Sequence, residues 1–234
     1  MRNEHYFTFA GRPSRDFGLG ISGEASFVKP QRRYTSQKVP GRNGDLTIDE
    51  GTFENVRIVY PGYIIKDFSL QYRGLFDFLN AVTGYGRLED TIDHDVYRMA
   101  RYAGPADPKV LGVAKAGTFN VEFDCKPQRF LKTGEVPVEF TANGTIYNPT
   151  NYGAKPLLRL YGTGTFTISG QTITVASASG YTDIDVEIME AYKGDANCNA
   201  NVSLPDDFVI KAGANQVTFS GLTKAVITPR WWTI

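Results

Sequence analysis

Gly117-Thr118-Phe119-Asn120-Val121-Glu122-Phe123-Asp124-Cys125 changes character at every step. Successive side chains of an extended strand point to opposite faces. Phe119, Val121, Phe123 and Cys125 therefore share one face, and Asn120, Glu122 and Asp124 the other. A strand with one apolar and one wet face belongs in an antiparallel sheet covered on one side. The same alternation recurs in both directions. Upstream, Tyr6–Ala10 reads as a short strand, Phe17, Leu19 and Ile21 as a second, and Val56–Tyr60 and Ile64–Leu70 as a pair flanking a Pro61-Gly62 turn. Val96–Tyr102 adds another strand. Downstream, Leu157–Tyr161 is a strand, and Phe166 and Ile168 are expected to pair with Ile173 and Val175 across Ser169-Gly170-Gln171. Tyr181–Ile188 reads with Ile184, Val186 and Ile188 inward and Asp183, Asp185 and Glu187 outward. Phe208 with Ile210, Val217 with Phe219, and Val226 with Ile227 read as further short strands. Many short alternating strands separated by Gly- and Asn-rich turns predict a two-sheet sandwich for the second half.

One stretch has a different period. Leu75, Phe78, Leu79 and Val82 recur at helical spacing, with Gly84 placed to end the helix in a left-handed cap. This helix is expected to cover one sheet face, so the fold class is mainly β with one helix. Val39-Pro40-Gly41-Arg42-Asn43-Gly44-Asp45-Leu46 is the strongest turn signal in the chain. Pro40 presets φ, Gly41 and Gly44 permit positive φ, and Asn43-Gly44 suits a two-residue type I′ turn. Residues 32–49 are therefore expected to form a β-hairpin with Arg42 and Asp45 at its tip. Loop tips that combine a rigid turn with charge often touch partners, which makes Pro40, Gly41, Arg42, Asn43 and Gly44 candidate contact residues.

The 234-residue chain is 41% hydrophobic and 21% charged, the composition of a folded protein with a core of its own. Lys and Arg number 25, as do Asp and Glu. A dedicated nucleic-acid binder would carry a basic excess, so no specific nucleic-acid binding is expected. The balance conceals an asymmetry: residues 1–133 hold 19 basic and 16 acidic side chains, and residues 134–234 hold 6 and 9. We place a domain boundary there, with Lys132-Thr133-Gly134-Glu135 as linker, giving an N-terminal β domain (1–133) and a C-terminal β-sandwich (134–234). Two cysteines, Cys125 and Cys198, fall in different domains and are expected to be free thiols of a reducing compartment. With His5 and His94 as the only histidines and no CxxC or HxxxH spacing, no metal site is expected. The N-terminal residues lack an apolar signal core and no apolar run reaches 18 residues, so we expect a soluble protein with no membrane partner.

Catalytic signatures are weak. The sequence has no Gly-x-Ser-x-Gly elbow, Walker A or dinucleotide fingerprint. Asp183, Asp185 and Glu187 are the best acid/base candidates, because alternate strand residues share a face and paired carboxylates can perform glycosidic chemistry. Asp90-Thr91-Ile92-Asp93-His94-Asp95 reads as a solvated turn. No enzyme, catalytic residue or cofactor is expected. Trp231-Trp232, after Pro229-Arg230, places two rings on opposite faces of a terminal strand. Both are candidates for an interface between domains or subunits, or for a sugar-stacking platform.

Several segments in order carry a family likeness: Val39-Pro40-Gly41-Arg42-Asn43-Gly44, then Gly84-Tyr85-Gly86-Arg87-Leu88 leading to Tyr97-Arg98-Met99-Ala100, then Phe119–Phe123 with Cys125-Lys126-Pro127-Gln128-Arg129, Asn148-Pro149-Thr150, Ile184-Asp185 and Pro229-Arg230-Trp231-Trp232. Over nearly its full length the chain resembles the distal tail proteins of long-tailed, non-contractile phages of Gram-positive hosts. The resemblance implies a ring-forming N-terminal β domain and a galectin-like C-terminal β-sandwich. It further implies a structural virion protein of the tail tip, assembled in the host cytoplasm as a homohexameric ring. Such a ring joins the tail-tube protein to tail-associated or receptor-binding proteins and leaves a channel for DNA. The alternative is a carbohydrate-binding module for a host cell-wall saccharide. The second domain holds no His and its Asn-Pro is followed by Thr150, unlike the polar sugar cluster of true galectins.

Overall fold

Phe119, Val121, Phe123 and Cys125 all point into a core whose centre is aromatic. The ring of Phe123 lies 5.3 Å from Phe7, 4.9 Å from Phe9 and 6.1 Å from Tyr60, centroid to centroid. A computed structural model describes residues 5–22, 28–113 and 115–234. The chain divides into two compact units, Met1–Arg129 with Ile234, and Phe130–Thr233.

In the N-terminal unit the strands lie antiparallel in the order Arg12–Pro13, Phe7–Phe9, Gly86–Asp90, Val96–Tyr102, Ala116–Cys125, Val56–Ile64, Gly20–Ile21. Lys109–Leu111 pairs with the start of Ala116–Cys125. The helix Phe68–Ala81 buries Phe68, Leu75 and Leu79, with Phe78 and Val82 packed half-buried against the same core.

Four local expectations are corrected. Pro61-Gly62 is no turn, because both residues sit inside Val56–Ile64, opposite Asn120 and Phe119. The Pro61 carbonyl accepts the Ser22 N–H at 2.8 Å. In a strand a residue's N and O point the same way, so its missing N–H faces the short edge strand and leaves the ladder to Ala116–Cys125 intact. Gly62 is required by packing, since a Cβ there would lie 2.5 Å from Leu19 Cδ1. With no turn at 61–62, Phe68–Leu70 forms the first turn of the helix instead of a strand. The helix ends at Ala81 with Val82 extended, and the positive φ of Gly84 falls beyond it. Phe17 closes a 3-10 turn, Ser14–Phe17, leaving Gly20–Ile21 as the strand, although Phe17, Leu19 and Ile21 are all buried.

The C-terminal unit is built on two long strands, Leu157–Ile168 and Gly213–Thr228, paired along most of their length. The segments expected as separate short strands are halves of these two. The register shifts twice, between Tyr161 and Gly162 and between Gly162 and Thr165. On one side of the shift the pair is flanked by Val138–Phe140, Tyr181–Asp185, Glu190–Lys193 and Ala196–Asn197. On the other it is flanked by Gly144–Asn148, Gln171–Val175 and Val202–Ser203. The same two strands thus run through both layers of the sandwich, with Leu158, Leu160, Phe166, Ile168, Val217, Ala225 and Ile227 between them. The hairpin at Ser169-Gly170 has positive φ at both residues, 49° and 84°, as a type I′ turn requires.

Phe208 and Ile210 are buried outside any strand, Ile210 through an isolated bridge to Ala154. Tyr181–Asp185 stops before the residues expected to continue it. The Asp185 carboxylate accepts the Glu187 N–H at 3.0 Å and turns the chain, so Ile188 is 58% exposed rather than inward. The expected linker is an ordered 3-10 turn, Lys132–Glu135. Its Gly134 is buried, and a Cβ there would lie 2.3 Å from the Trp231 nitrogen.

Gly164 has φ 147°, and a Cβ there would sit 2.0 Å from the Ser220 carbonyl oxygen. Gly164→Ala should therefore destabilise the C-terminal unit by about 2 kcal/mol or more. Both tryptophans lie in this unit, so denaturant unfolding followed by tryptophan fluorescence isolates its transition; an unchanged midpoint would refute the steric argument.

Candidate functional site

Two of the three carboxylates singled out for acid/base work, Asp183 and Asp185, are committed to guanidinium groups. Arg159 donates Nε–H to Asp183 Oδ1 at 2.6 Å and Nη2–H to Oδ2 at 2.9 Å. This guanidinium covers Asp183, which is only 6% exposed although it lies on the outward sheet face. Arg230 is also bidentate, donating from Nη1 to Asp185 Oδ1 at 2.7 Å and from Nη2 to Oδ2 at 2.8 Å, and Glu187 lies 4.0 Å from Lys155. Burial pushes the Asp185 carboxyl up. The bond and charge of Arg230 with the N–H groups of Glu187 and Ile188 outweigh it and hold the pKa below the ordinary value. A group held ionised this way does not serve as a general acid near neutral pH.

The Asp90–Asp95 stretch is also structural. Asp90 Oδ1 accepts the N–H groups of Ile92 and Asp93, and Oδ2 accepts the Tyr60 hydroxyl at 2.7 Å. Asp93 pairs with Arg129, and His94 with Asp95 on the surface. Among the described residues no group of three or more His, Cys, Asp or Glu side chains could hold a metal ion. Both thiols are free, and burial pushes Cys125 up to about 12.

The two tryptophans use their rings inside the C-terminal unit. Trp231 is 5% exposed within the core. Trp232 stacks on Tyr152 with centroids 4.4 Å apart and donates its indole N–H to the Gly153 carbonyl at 2.9 Å.

The hairpin is the exposed element. Arg32–Gln37 and Leu46–Phe53 form a two-stranded antiparallel sheet that pairs with no other strand among the described residues. Its strands close at Gln37 and Leu46, leaving 38–45 as a loop and not the two-residue Asn43-Gly44 turn expected. The turn lies earlier: the Arg42 N–H donates to the Val39 carbonyl at 3.2 Å across Pro40-Gly41, with Gly41 at φ 80°. Pro at the first central position and a positive-φ Gly at the second are the marks of a type II turn. Pro40, Gly41, Arg42, Asn43 and Gly44 are brought together in one exposed loop, and every residue from 31 to 52 is exposed.

Arg32 and Asp49 tie the strands, Nε to Oδ1 at 2.9 Å and Nη2 to Oδ2 at 2.7 Å. Thr35 donates to Glu50 at 2.7 Å. Leu46 and Ile48 share a face, opposite Gln37 and Thr35, while Tyr34 lies on the other. Ile48 is 50% and Tyr34 53% exposed. Two strands alone are marginally stable in water, and unpaired edges with exposed apolar side chains are a template for association. This exposed apolar pattern is the part of the site that turn chemistry alone did not identify.

No family model matches the sequence, and no curated protein matches it. Solved structures do. The SPP1 Dit (gp 19.1) protein, described as a paradigm of the hub adsorption apparatus of phages infecting Gram-positive bacteria, superposes with a TM-score of 0.75 at 12% identity, over 98% of this chain and 99% of that one. Chains of the phage P2 baseplate in its activated conformation, with Ca and with Sr, superpose at TM-scores of 0.55 and 0.54, each at 12% identity over 95% of this chain and 96% of theirs. The likeness establishes a shared fold across both units.

Stability should follow the Asp185 pair. A carboxylate whose folded pKa lies below its unfolded value stabilises above the unfolded value, near 4, and loses that contribution as pH falls through the folded one. Asp185→Asn should lower the stability of the C-terminal unit at pH 7 by about 1–3 kcal/mol and flatten its loss below about pH 4. Parallel pH profiles for both proteins, read by tryptophan fluorescence, would contradict this.

Proposed function

We propose that this chain is a structural hub protein of a phage tail tip. The observation that carries the reading is the superposition along the whole chain, both units included, on a protein described as a hub of the adsorption apparatus. The baseplate chains of the same fold favour a place in a multi-subunit tail assembly over a soluble enzyme. The commitment of Asp183 and Asp185 to guanidinium groups points the same way.

In this reading the N-terminal unit assembles as a homohexameric ring. The ring joins the tail-tube protein to tail-associated or receptor-binding proteins, leaves a channel for DNA, and is built in the host cytoplasm before joining the virion. The hairpin Arg32–Phe53 is the assembly arm. Its loop, Pro40 to Gly44, lies at the subunit boundary or on the tube-facing surface, where exposed Leu46 and Ile48 become buried. Head-to-tail contacts between different surfaces close into rings when the rotation allows, and an arm projecting from a compact sheet is suited to such a contact.

Electron microscopy of the purified protein, alone and with tail-tube protein, tests this. Rings are expected in at least one sample, and Leu46→Asp with Ile48→Asp should abolish them while circular dichroism of the monomer is unchanged. Monomers persisting in both samples would overturn the reading, and rings formed by the double variant would remove the hairpin from it.

A further inference from the structure

Asn-Gly occurs twice in the chain, at Asn43-Gly44 and at Asn143-Gly144. This dipeptide can react with itself. Bonding the Asn side-chain carbonyl carbon to the next backbone nitrogen closes a five-membered imide, and a glycine in second place offers no Cβ to hinder the approach. The fold decides whether it happens, because the nitrogen must be free of a hydrogen bond and both residues must be able to rotate.

The two copies lie in opposite settings. At the first, the hairpin strands have closed at Gln37 and Leu46, which leaves both residues in the exposed loop 38–45. Among the described residues, the one hydrogen bond made within that loop runs from the Arg42 N–H to the Val39 carbonyl. It leaves the Gly44 N–H and the Asn43 amide unheld. A Cβ built on Gly44, at φ 80°, meets nothing within 4 Å, so the peptide stands in open space.

At the second, Asn143 Oδ1 accepts the Phe219 N–H at 3.0 Å. Gly144 begins the strand Gly144–Asn148 opposite Val217, and a Cβ there would lie 2.8 Å from the Phe140 ring. Side chain and backbone are both held.

We propose that Asn43 is a self-modifying site, converted with water to aspartate and isoaspartate while Asn143 is preserved. Hydroxide removes the Gly44 N–H proton, and the nitrogen attacks Asn43 Cγ. The N–Cγ bond forms, the Cγ–Nδ2 bond breaks, and Nδ2 leaves as ammonia with a proton drawn from water. Water then opens the succinimide. Addition at Cγ breaks the new N–Cγ bond and yields aspartate, whereas addition at the main-chain carbonyl breaks the original peptide bond and yields isoaspartate. Either product sets a carboxylate between Arg42 and Asp45, and the second lengthens the main chain by one methylene. The chemistry needs only the open loop and does not rest on the hub reading.

Prolonged incubation of the dilute full chain in mildly alkaline buffer tests this. Conversion is read by peptide mass spectrometry, and isoaspartate by methyl transfer from S-adenosylmethionine with an isoaspartyl methyltransferase. In the folded chain Asn43 should convert at least about tenfold faster than Asn143, and the two rates should converge in denaturant. Gly44→Ala should slow conversion at Asn43 about tenfold with circular dichroism unchanged, and Asn43→Gln should abolish methyl acceptance by the hairpin peptide. Equal rates at the two sites of the folded chain, a difference that persists in denaturant, or conversion at Asn43 undiminished by Gly44→Ala would each overturn the proposal.

Discussion

Two backbones pass each other at Gly164 and Ser220 with no room for a methyl group between them. The C-terminal unit depends on that approach. Leu157–Ile168 and Gly213–Thr228 change register there, and Gly221, at φ 78°, supplies the matching freedom on the opposite strand. Since the bulge lets one strand pair serve both layers, the core residues before it, Leu158 and Leu160, meet those after it, Phe166 and Ile168, in a single interior. The outward face of the first layer then follows from register, which sets Arg159 beside Asp183 and Lys224 beside Tyr161.

The N-terminal unit rests on a comparable constraint. Leu19 packs where Gly62 has no side chain, and this contact lets a strand containing Pro and Gly remain continuous. A dipeptide that ordinarily marks a turn is here a packing solution. The helix owes its position to another such approach, with Phe68 lying where a Cβ on Gly117 would be 2.5 Å away.

These cases show which parts of the fold were legible. Alternation at Phe119 to Cys125 and the helical spacing of Leu75 and Leu79 identify elements, because a residue's face depends on period alone. Element ends were less legible. Pro61-Gly62 and Asn43-Gly44 carry turn chemistry, but the first is overridden by a partner distant in sequence and the second by strand pairing that closes at Gln37 and Leu46. Of the candidate site, the exposed loop was readable from Pro40 and Gly41. The role of Asp183 and Asp185 was not, since Arg159 and Arg230 reach them only through the folded sheet. Burial of Trp231 likewise depends on the chain returning past Gly134.

The hairpin also has a thermodynamic consequence. Ordering a residue's backbone costs about 1–2 kcal/mol of conformational entropy, and a segment that folds only on contact charges that cost to the association. Here Pro40 limits the loop, and Arg32–Asp49 and Thr35–Glu50 bridge the strands, so part of that ordering precedes any contact. A partly pre-ordered ribbon leaves more of its contact energy available as affinity. In the proposed assembly its edges would meet a receiving surface in a fixed register, which selects for shape rather than for a sequence able to fold upon it.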